Sequence, residues 1–291
     1  MKHSRTLFGV ALVATLILSG SLTSQAGNRK KDQTPKPEIE SQWNGRTIAF
    51  IGDSITDPHQ IKDSLNDIYW HQLESILGIK PYVYGISGRQ MDDVVPQAER
   101  METELGQDVD AIMIFLGTND YNSSVPLGEW YTTSRQRVRI SGPIEVWRAH
   151  RDFCYDKETF RGRINIGLKY LKSRYPTKQI ILLTPVHRER FRMSPKNDQP
   201  DEEFANAIGL WLDEYVAAVK EAGNVWSVPV IDLHGTSGLM PLVDEQKPYY
   251  RTVIRGKDTE EYWDYLHPGT EGHRRMAYTI AYQLLGYPAS F

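Results

Sequence analysis

Short apolar runs alternate with segments of helical periodicity along most of this chain. A short apolar run predicts a strand buried on both faces, whereas apolar residues spaced three or four apart predict an amphipathic helix. Strands that alternate with helices predict a parallel sheet covered on both faces. We therefore predict an α/β fold, a three-layer α/β/α sandwich around a central, mostly parallel five-stranded sheet. The predicted strands are 48–51, 81–84, 111–116, 179–184 and 228–233.

The helical pattern recurs between these strands. Helices are predicted over 65–76, 95–105, 160–171, 204–219 and 270–284. At the start of the fourth helix, Phe204, Ile208 and Trp211 are interpreted as part of a buried face. Two stretches, near 121–158 and near 235–261, show no clean period and are predicted as insertions. The first is expected either to cover the ligand-binding edge of the sheet or to form a helical excursion.

The first residues have the three-part pattern of an export signal. Lys2 and Arg5 precede an apolar run over 7–18, and small residues follow up to Ala26. We predict a cleavable signal peptide at 1–26. The alternative is a membrane anchor, but a run of about a dozen apolar residues is shorter than the ~20 needed to span a bilayer.

The rest of the chain is predicted to form a linker and one domain. Residues 27–42 are polar and indicate a flexible linker, and residues 43–291 can bury a single core. The formal net charge of −3 gives no reason to expect a nucleic-acid partner. The single cysteine, Cys154, cannot form an internal disulfide. It is far from the expected cleavage point, so we expect no lipid attachment there. We expect a secreted or periplasmic protein with no stable membrane insertion after cleavage.

Small polar residues follow three of the predicted strands. Ser54 comes after the first strand, Gly88 after the second and Asn119 after the third. The carboxyl ends of parallel strands meet at one edge of the sheet, where ligands bind, so Ser54 is a candidate nucleophile. Asp264 and His267 lie three residues apart before the last helix. A carboxylate at Nδ1 of a histidine holds the tautomer whose Nε2 takes a proton from serine.

In these residues the sequence resembles the SGNH hydrolases, also called the GDSL esterase family. The match consists of four blocks in family order, namely Gly52-Asp53-Ser54-Ile55, Gly88 in Ile86-Ser87-Gly88, Gly117-Thr118-Asn119-Asp120, and Asp264-Tyr265-Leu266-His267-Pro268. The resemblance covers about residues 47–285 and implies the flavodoxin-like SGNH fold. It implies that Ser54 is the nucleophile, that His267 is the general base and then acid, and that Asp264 orients His267. The implied oxyanion donors are the backbone N–H groups of Ser54 and Gly88 and the side-chain amide of Asn119.

Each of these residues also has a purely structural interpretation. Ser54 can cap a helix, Asn119 can bond loop backbone, and Gly88 can satisfy a positive φ. Asp264 can cap a turn, and His267 alone is more often a structural histidine. We favour catalysis because the four blocks occur together and in order.

A metal site is the weaker hypothesis for this edge of the sheet. No paired motif such as His-Glu-x-x-His is present, so we expect neither a metal nor another cofactor. The residues considered as ligands are Asp53, Asp57, His59, Asp120 and His187.

The first insertion is rich in aromatic and arginine residues. Trp130, Tyr131 and Trp147 are candidates for a substrate rim on which a sugar ring stacks, and we slightly favour the other interpretation, in which they cover the sheet as part of the core. His187 and Arg188 follow the fourth strand and therefore reach the same edge. They are predicted to contact the substrate, with a solvated loop as the alternative.

We therefore expect an exported serine esterase that hydrolyses a small-molecule or glycan ester through an acyl-enzyme. The insertion and the export signal favour a short acyl group, an acetyl ester on a carbohydrate. A lipase, lysophospholipase or thioesterase is the alternative within the family, and a lipase would need an apolar trough beside Ser54. From a different class, a catalytically silent carbohydrate-binding module is the alternative, although all the family's catalytic positions are filled.

Overall fold

The predicted central sheet is present and its five strands are all parallel. The computed structural model describes residues 36–60, 68–255 and 261–289. Its central strands are β1 (Thr47–Gly52), β2 (Lys80–Val83), β3 (Ala111–Phe115), β6 (Gln179–Leu183) and β9 (Val230–Ile231), in the order β2-β1-β3-β6-β9. The last strand is shorter than predicted and lies at an edge, as expected for a segment that begins beside Pro229, which has no N–H to donate.

Alternate residues of each strand face opposite layers of helices. In β1, Ile48 and Phe50 join one apolar cluster, whereas Ala49 and Ile51 join the other. The first cluster includes α1 (Tyr69–Leu77) and α7 (Thr270–Leu284), and the second includes α2 (Val94–Leu105), α4 (Phe160–Arg174) and α5 (Leu212–Trp226). Because both faces are covered, the strand appears in the sequence as an unbroken apolar run. The three-layer α/β/α sandwich is thus confirmed.

The predicted helix over 204–219 is shorter at its amino end than its periodicity indicated. Helix α5 begins at Leu212, and the side chains of Phe204 and Ile208 are 60% and 49% exposed. The Asn206 side chain accepts hydrogen bonds from the N–H groups of Ile208 and Leu210 and closes a turn in place of the helix. Apolar residues at helical spacing therefore lie in an exposed loop, because a local side-chain bond competes with the helical backbone bonds.

The first insertion contains an antiparallel hairpin, so the prediction of a helical excursion is wrong. A short helix, α3 (Thr118–Asn122), precedes it, and the hairpin consists of β4 (Tyr131–Ser141) and β5 (Ile144–Phe153). Nearly all of its side chains are exposed on both faces. A strand with no buried face has no reason to alternate apolar and polar residues, which explains the missing period.

The structure contains a second, antiparallel sheet that the apolar pattern does not predict, and only one of its four strands lies within the predicted insertion near 235–261. Its strands are β7 (Phe191–Ser194), β8 (Asn197–Gln199), β10 (Tyr250–Arg255) and β11 (Glu261–Pro268), in the order β10-β11-β7-β8. A short helix, α6 (Leu233–Thr236), lies between β9 and β10 in the chain. Residues 256–260 of the predicted insertion lie outside the described residues. Strand β11 carries both Asp264 and His267.

The predicted signal peptide at 1–26 and residues 27–35 of the predicted linker lie outside the described residues. The end of that linker packs on the domain, since the Ile39 N–H donates to the Ile76 carbonyl (2.8 Å) and the Gln42 amide donates to the Tyr287 carbonyl (2.8 Å). The predicted flexible linker therefore does not extend as far as Ile39. Within the part of the chain that the structure describes, no helix has the length and apolar character to cross a membrane.

The central sheet predicts a clear stability contrast between two isoleucines. Ile181 on β6 is fully buried, whereas Ile140 on the hairpin is 55% exposed. We expect Ile181→Ala to lower the free energy of unfolding by ~2–5 kcal/mol, because it removes buried methylene groups and leaves a cavity. The matched control, Ile140→Ala, should change it by less than about 0.5 kcal/mol. Urea denaturation followed by circular dichroism measures both, and equal losses would contradict the assignment of Ile181 to the core.

Candidate active site

A tight turn after β1 presents the Ser54 hydroxyl at the carboxyl edge of the sheet. The Asp53 carbonyl accepts hydrogen bonds from the N–H groups of Thr56 (3.1 Å) and Asp57 (2.9 Å). The Asp53 carboxyl also accepts one from the Ile55 N–H (3.0 Å). These three bonds around one aspartate fix the backbone on both sides of Ser54, whose side chain is nearly buried.

Ser54, His267 and Asp264 form one continuous chain of hydrogen bonds. The Nε2 atom of His267 lies 2.8 Å from Oγ of Ser54. Its Nδ1 atom lies 2.8 and 3.0 Å from the two carboxyl oxygens of Asp264. The same carboxyl accepts the backbone N–H of His267 (3.0 Å), so the three-residue spacing closes a local turn. A carboxylate at Nδ1 leaves Nε2 free to accept the serine proton.

The surroundings favour the ionised form of Asp264. Burial alone would raise the pKa of Asp264, but the hydrogen bonds from His267 and the nearby Arg251 guanidinium lower it below its ordinary value. One Arg251 nitrogen lies 4.0 Å from a carboxyl oxygen. The Phe191 ring packs edge-on against the His267 ring at a centroid distance of 5.3 Å. An ionised carboxylate and an apolar neighbour together hold the imidazole in one orientation.

The Gly88 loop lies beside this turn and is fixed next to it. Its residue Ser87 donates its N–H to the Asp57 carboxylate (3.0 Å). Gly88 has φ +77°, and no atom lies within 4 Å of the position that a Cβ would take. Only the backbone conformation, and not crowding, requires glycine at this position. The loop is exposed, and since the Ser87 N–H donates to Asp57 and the Arg89 N–H donates to the Ile86 carbonyl, the Gly88 N–H is the one left for a bound molecule.

Asn119 connects the Gly88 loop to the Ser54 turn. Its amide nitrogen donates to the Arg89 carbonyl at 3.0 Å and lies 3.4 Å from a carboxyl oxygen of Asp53. Gly117, with φ +130°, lets the chain turn from β3 into α3 and directs Asn119 to this edge. The second contact is long, so one amide hydrogen is weakly held and available to another acceptor.

Two buried carboxyl groups, those of Asp53 and Asp120, bond the loops that surround Ser54. Burial raises the pKa of Asp53 to about 7, against the hydrogen bond from Ile55, and the nearby Asp120 adds to the rise. Burial likewise raises the pKa of Asp120 to about 6, although the Met91 N–H and the Arg163 guanidinium donate to it. Asp120 thus fixes the segment that follows Gly88, as Asp53 fixes the turn at Ser54.

Two further polar residues support the site in ways that the sequence did not indicate. Asp57, suggested by the sequence only as a possible metal ligand, positions Ser87 instead. The Gln97 amide pairs with both the N–H and the carbonyl of Gly52 (2.9 Å each) across 45 residues. Proximity to Ser54 could have indicated Asp57, but no local pattern indicates Gln97. Among the described residues, no three histidine, cysteine or acidic side chains are arranged to hold a metal ion.

The aromatic residues predicted as a substrate rim lie at and along the hairpin. Trp130 is half-buried and donates from Nε1 to Glu221 on α5 (2.8 Å). The Tyr131 ring packs on Phe153, and Phe153 stacks on Trp226 at the end of α5. Trp147 is 52% exposed farther along β5. The contacts of these rings are therefore with α5 and with the hairpin itself, and their role in substrate binding stays a prediction.

His187 and Arg188 take part in contacts below the surface. The Nδ1 atom of His187 lies 2.5 Å from the Glu202 carboxyl. Arg188 is fully buried and donates to the Asn122 side chain (2.5 Å) and the Pro200 carbonyl (3.0 Å). Burial lowers the pKa of Arg188 to about 10. The prediction that Arg188 lies on a substrate rim is wrong, because its side chain is fully buried. It bonds Asn122 and Pro200, which lie elsewhere in the chain, and so joins two loops.

Comparison with known proteins gives a family for the chain. The profile of the GDSL-like Lipase/Acylhydrolase family matches residues 50–275, a range that includes Ser54, Gly88, Asn119, Asp264 and His267. The comparison with curated proteins found no match.

Solved structures with a similar fold come from several bacteria. A Lactobacillus plantarum protein has 22% identity and a TM-score of 0.61, over 84% of this chain and 98% of its own. A possible lipase from Chitinophaga pinensis has 21% identity and a TM-score of 0.57, over 82% and 98%. A candidate GDSL-like lipase from Parabacteroides merdae has 19% identity and a TM-score of 0.50, over 86% and 99%. At these identities the likeness shows the fold.

The raised pKa of Asp53 predicts a specific pH dependence of stability. Between about pH 4 and pH 7 the folded protein keeps a proton on Asp53 that the unfolded chain has released. The stability contributed by this group is therefore fully present below about pH 4 and is lost as the pH rises through about 7. In Asp53→Asn this loss should disappear, because an amide does not titrate and can still accept the Ile55 N–H.

Urea denaturation of both proteins from pH 4 to pH 8 checks this prediction. The unfolding free energy of the unsubstituted protein should fall relative to Asp53→Asn across that range. A suitable control is Asp198→Asn, since the hydrogen bond from Arg190 lowers the pKa of that exposed carboxyl and keeps it ionised throughout. A difference between Asp53→Asn and the unsubstituted protein that stays constant with pH would contradict the argument.

Proposed function

The chain belongs to the GDSL-like lipase/acylhydrolase family and is a serine hydrolase of the esterase and lipase type. From this premise we propose that it is an exported esterase that removes short acyl groups, first of all acetyl groups, from carbohydrate. The observation that carries the catalytic part of the proposal is the unbroken hydrogen-bond chain from Asp264 through His267 to Ser54. The short acyl group and the carbohydrate of the proposed substrate are supported by the openness of the site.

In the proposed mechanism, Ser54 is the nucleophile. His267 Nε2, at 2.8 Å, takes the proton from Ser54 Oγ as that oxygen attacks the ester carbonyl. Collapse of the tetrahedral intermediate breaks the bond to the alcohol, which leaves with the proton from His267 and gives an acyl-enzyme. Water then attacks the acyl carbonyl while His267 takes its proton and returns it to Ser54, so the acid is released. Asp264 stabilises the imidazolium that forms in each half-reaction.

Three donors are available for the negative oxygen of the tetrahedral intermediate. We assign this role to the backbone N–H groups of Ser54 and Gly88 and to the side-chain amide of Asn119. The Arg89 carbonyl holds that amide at 3.0 Å, and the Asp57 carboxylate holds the Gly88 loop through Ser87. Donors fixed before the reaction do not need to reorganise when the charge develops, which is the source of their catalytic effect.

An open site supports an ester carried on a polymer. Ser87, Gly88 and Arg89 are all exposed, so the side of the site that would receive the carbonyl oxygen faces solvent. A short acyl group needs little apolar surface, whereas a sugar chain needs room to extend away from the scissile bond. The export signal predicted at 1–26 would bring the protein to compartments that contain such polymers.

One observation favours a longer acyl chain as the second candidate. The loop over 201–211 exposes Phe204, Ile208 and Trp211, and it is bonded to α3, the helix that carries Asn119. Its Phe204 carbonyl accepts the Tyr121 hydroxyl (2.6 Å). Apolar side chains at this edge of the sheet would suit the tail of a lipase or thioesterase substrate.

Hydrolysis rates for acetyl, butyryl and octanoyl esters of one chromogenic alcohol decide between the two candidates. We expect kcat/KM to be highest for the acetyl ester and acetate to be released from an acetylated polysaccharide. Ser54→Ala should abolish both reactions and leave the circular dichroism spectrum unchanged, which provides the background control. A preference for octanoyl esters together with no acetate release would overturn the carbohydrate assignment.

The oxyanion assignment predicts a loss in turnover and not in binding. Asn119→Ala should lower kcat by ~10²-fold or more with little change in KM, because the donor acts mainly on the charge of the transition state. Asn122→Ala is the matched control, since Asn122 lies in the same helix but bonds Gln199 and Arg188. Steady-state kinetics with the acetyl ester measure both variants, and a change confined to KM would make Asn119 a binding residue instead.

A further inference from the structure

The β4–β5 hairpin has two faces of different chemistry. Residues that pair across an antiparallel ladder share a face, and neighbours along a strand alternate between faces. One face therefore carries the pairs Arg135–Ala149, Arg137–Trp147, Arg139–Glu145, Thr133–Arg151 and Tyr131–Phe153. The other carries the pairs Gln136–Arg148, Val138–Val146, Ser134–His150 and Thr132–Asp152. We call the first of these the arginine face.

The arginine face is an ordered array of guanidinium groups and rings. The Arg151 guanidinium lies 4.3 Å from the centre of the Tyr131 ring, and that of Arg137 lies 5.5 Å from the centre of the Trp147 ring. Successive arginines on one face of a strand are about 7 Å apart. The side chains of Arg137 and Arg139 remain 66% and 70% exposed. These cations are therefore oriented by their neighbours and still accessible.

The charge of the hairpin is opposite to that of the protein. Between residues 131 and 153 there are five arginines and two acidic residues, whereas the whole chain has a formal net charge of −3. The nearest carboxylate on the arginine face, Glu145, stays 3.8–3.9 Å from the guanidinium groups of Arg137 and Arg139. One carboxylate at that distance leaves most of the positive charge without compensation.

The hairpin is attached at its base and extends from there. Its base packs on α5 through Phe153 and Trp226, whose rings stack at 4.4 Å, while the rest of both strands is exposed. Eleven residues of β4 extend for about 35 Å. A two-stranded hairpin is only marginally stable in water by itself. A ligand along its arginine face would both neutralise the repulsion between arginines and stabilise the ribbon.

We propose that the arginine face is an exosite that binds an acidic polysaccharide bearing carboxylate or sulfate groups. Guanidinium groups bind carboxylate and sulfate oxygens in a bidentate way, and the exposed Trp147 ring offers apolar surface to a sugar ring. The carbohydrate part of this inference rests on the proposed function. Binding away from Ser54 would retain a polymeric substrate on the enzyme and raise the local concentration of its ester groups.

The observations favour this polymer over other partners. A nucleic-acid-binding domain is usually strongly basic, but this chain has a pI near 6.3. A second copy of the chain would be expected to cover the apolar end of the opposite face, where Ile140 and Ile144 are exposed, and not the arginines. An acidic polysaccharide carries both acidic groups, which suit the guanidinium groups of the arginine face, and sugar rings, which suit its exposed aromatic ring.

The test compares two hairpin variants of the full chain. The triple variant Arg135→Gln, Arg137→Gln, Arg139→Gln removes charge from the arginine face, and Arg148→Gln removes one charge from the opposite face. Affinity for a polyuronate, a sulfated dextran and uncharged dextran is measured by calorimetry at two salt concentrations. We expect the unsubstituted protein to bind at least one of the acidic polymers, more weakly at higher salt, and not the uncharged one.

The triple variant should lose at least about tenfold in affinity for the acidic polymer, because it removes charge-assisted contacts at the binding face. Arg148→Gln should lose about twofold or less, because Arg148 is on the opposite face. Hydrolysis of the small acetyl ester should be unchanged in both, which also shows that they fold. The exosite would be overturned by equal losses of affinity in the two variants or by no binding of either acidic polymer. It would also be overturned by tighter binding of DNA or by dimerisation that depends on the arginines. Failure of the unsubstituted protein to hydrolyse the small ester would instead overturn the proposed function, because polymer binding is measured separately.

Discussion

Burial of both faces of the central sheet is the constraint on which the rest of this structure depends. A sheet covered by α1 and α7 on one side and by α2, α4 and α5 on the other buries the side chains of its inner strands on both faces and leaves its edge strands and strand ends to solvent. Parallel pairing then brings the carboxyl ends of β1 and β3 together. Ser54 and Asn119 are 65 positions apart in the sequence and become neighbours for that reason alone, with Asp53 in contact with both turns. The chemistry of the site is thus a consequence of the packing of the core.

The second sheet completes the site with a different kind of constraint. Strand β11 pairs with β7 through Asp264 and Phe191, and Phe191 also packs on the His267 ring. The same pairing that fixes the carboxylate therefore fixes the orientation of the base. Asp53 and Asp120 show the cost of this arrangement, because burial raises the pKa of each carboxyl and only backbone N–H groups and one arginine act to lower it. These buried acids join loops that carry the reacting groups, so stability and catalytic geometry depend on the same contacts.

The surface carries two separate exposed regions. The apolar residues Phe204, Ile208 and Trp211 lie on a loop bonded to α3, the helix that carries Asn119. The arginine face lies on a hairpin whose base packs on α5. If the hairpin binds a polymer as we propose, contacts with the polymer can change independently of the Ser54–His267–Asp264 chain.

The sequence alone determined the parallel sheet, the order of its helices and the identity of the residues at the strand ends. These features are set by local patterns, since a doubly buried strand must be apolar throughout and Asp264 is only three residues from His267. The tertiary structure decided what depends on distant partners. Arg188 is buried because Asn122 and Pro200 receive its hydrogen bonds, and helix α5 starts late because Asn206 closes a turn. The hairpin has no buried face and so leaves no periodic signal, and the sheet that holds Asp264 is made by pairing across more than 70 residues. Periodicity records which face of an element is buried, and it contains no information about an element that buries neither face or about which distant groups will meet.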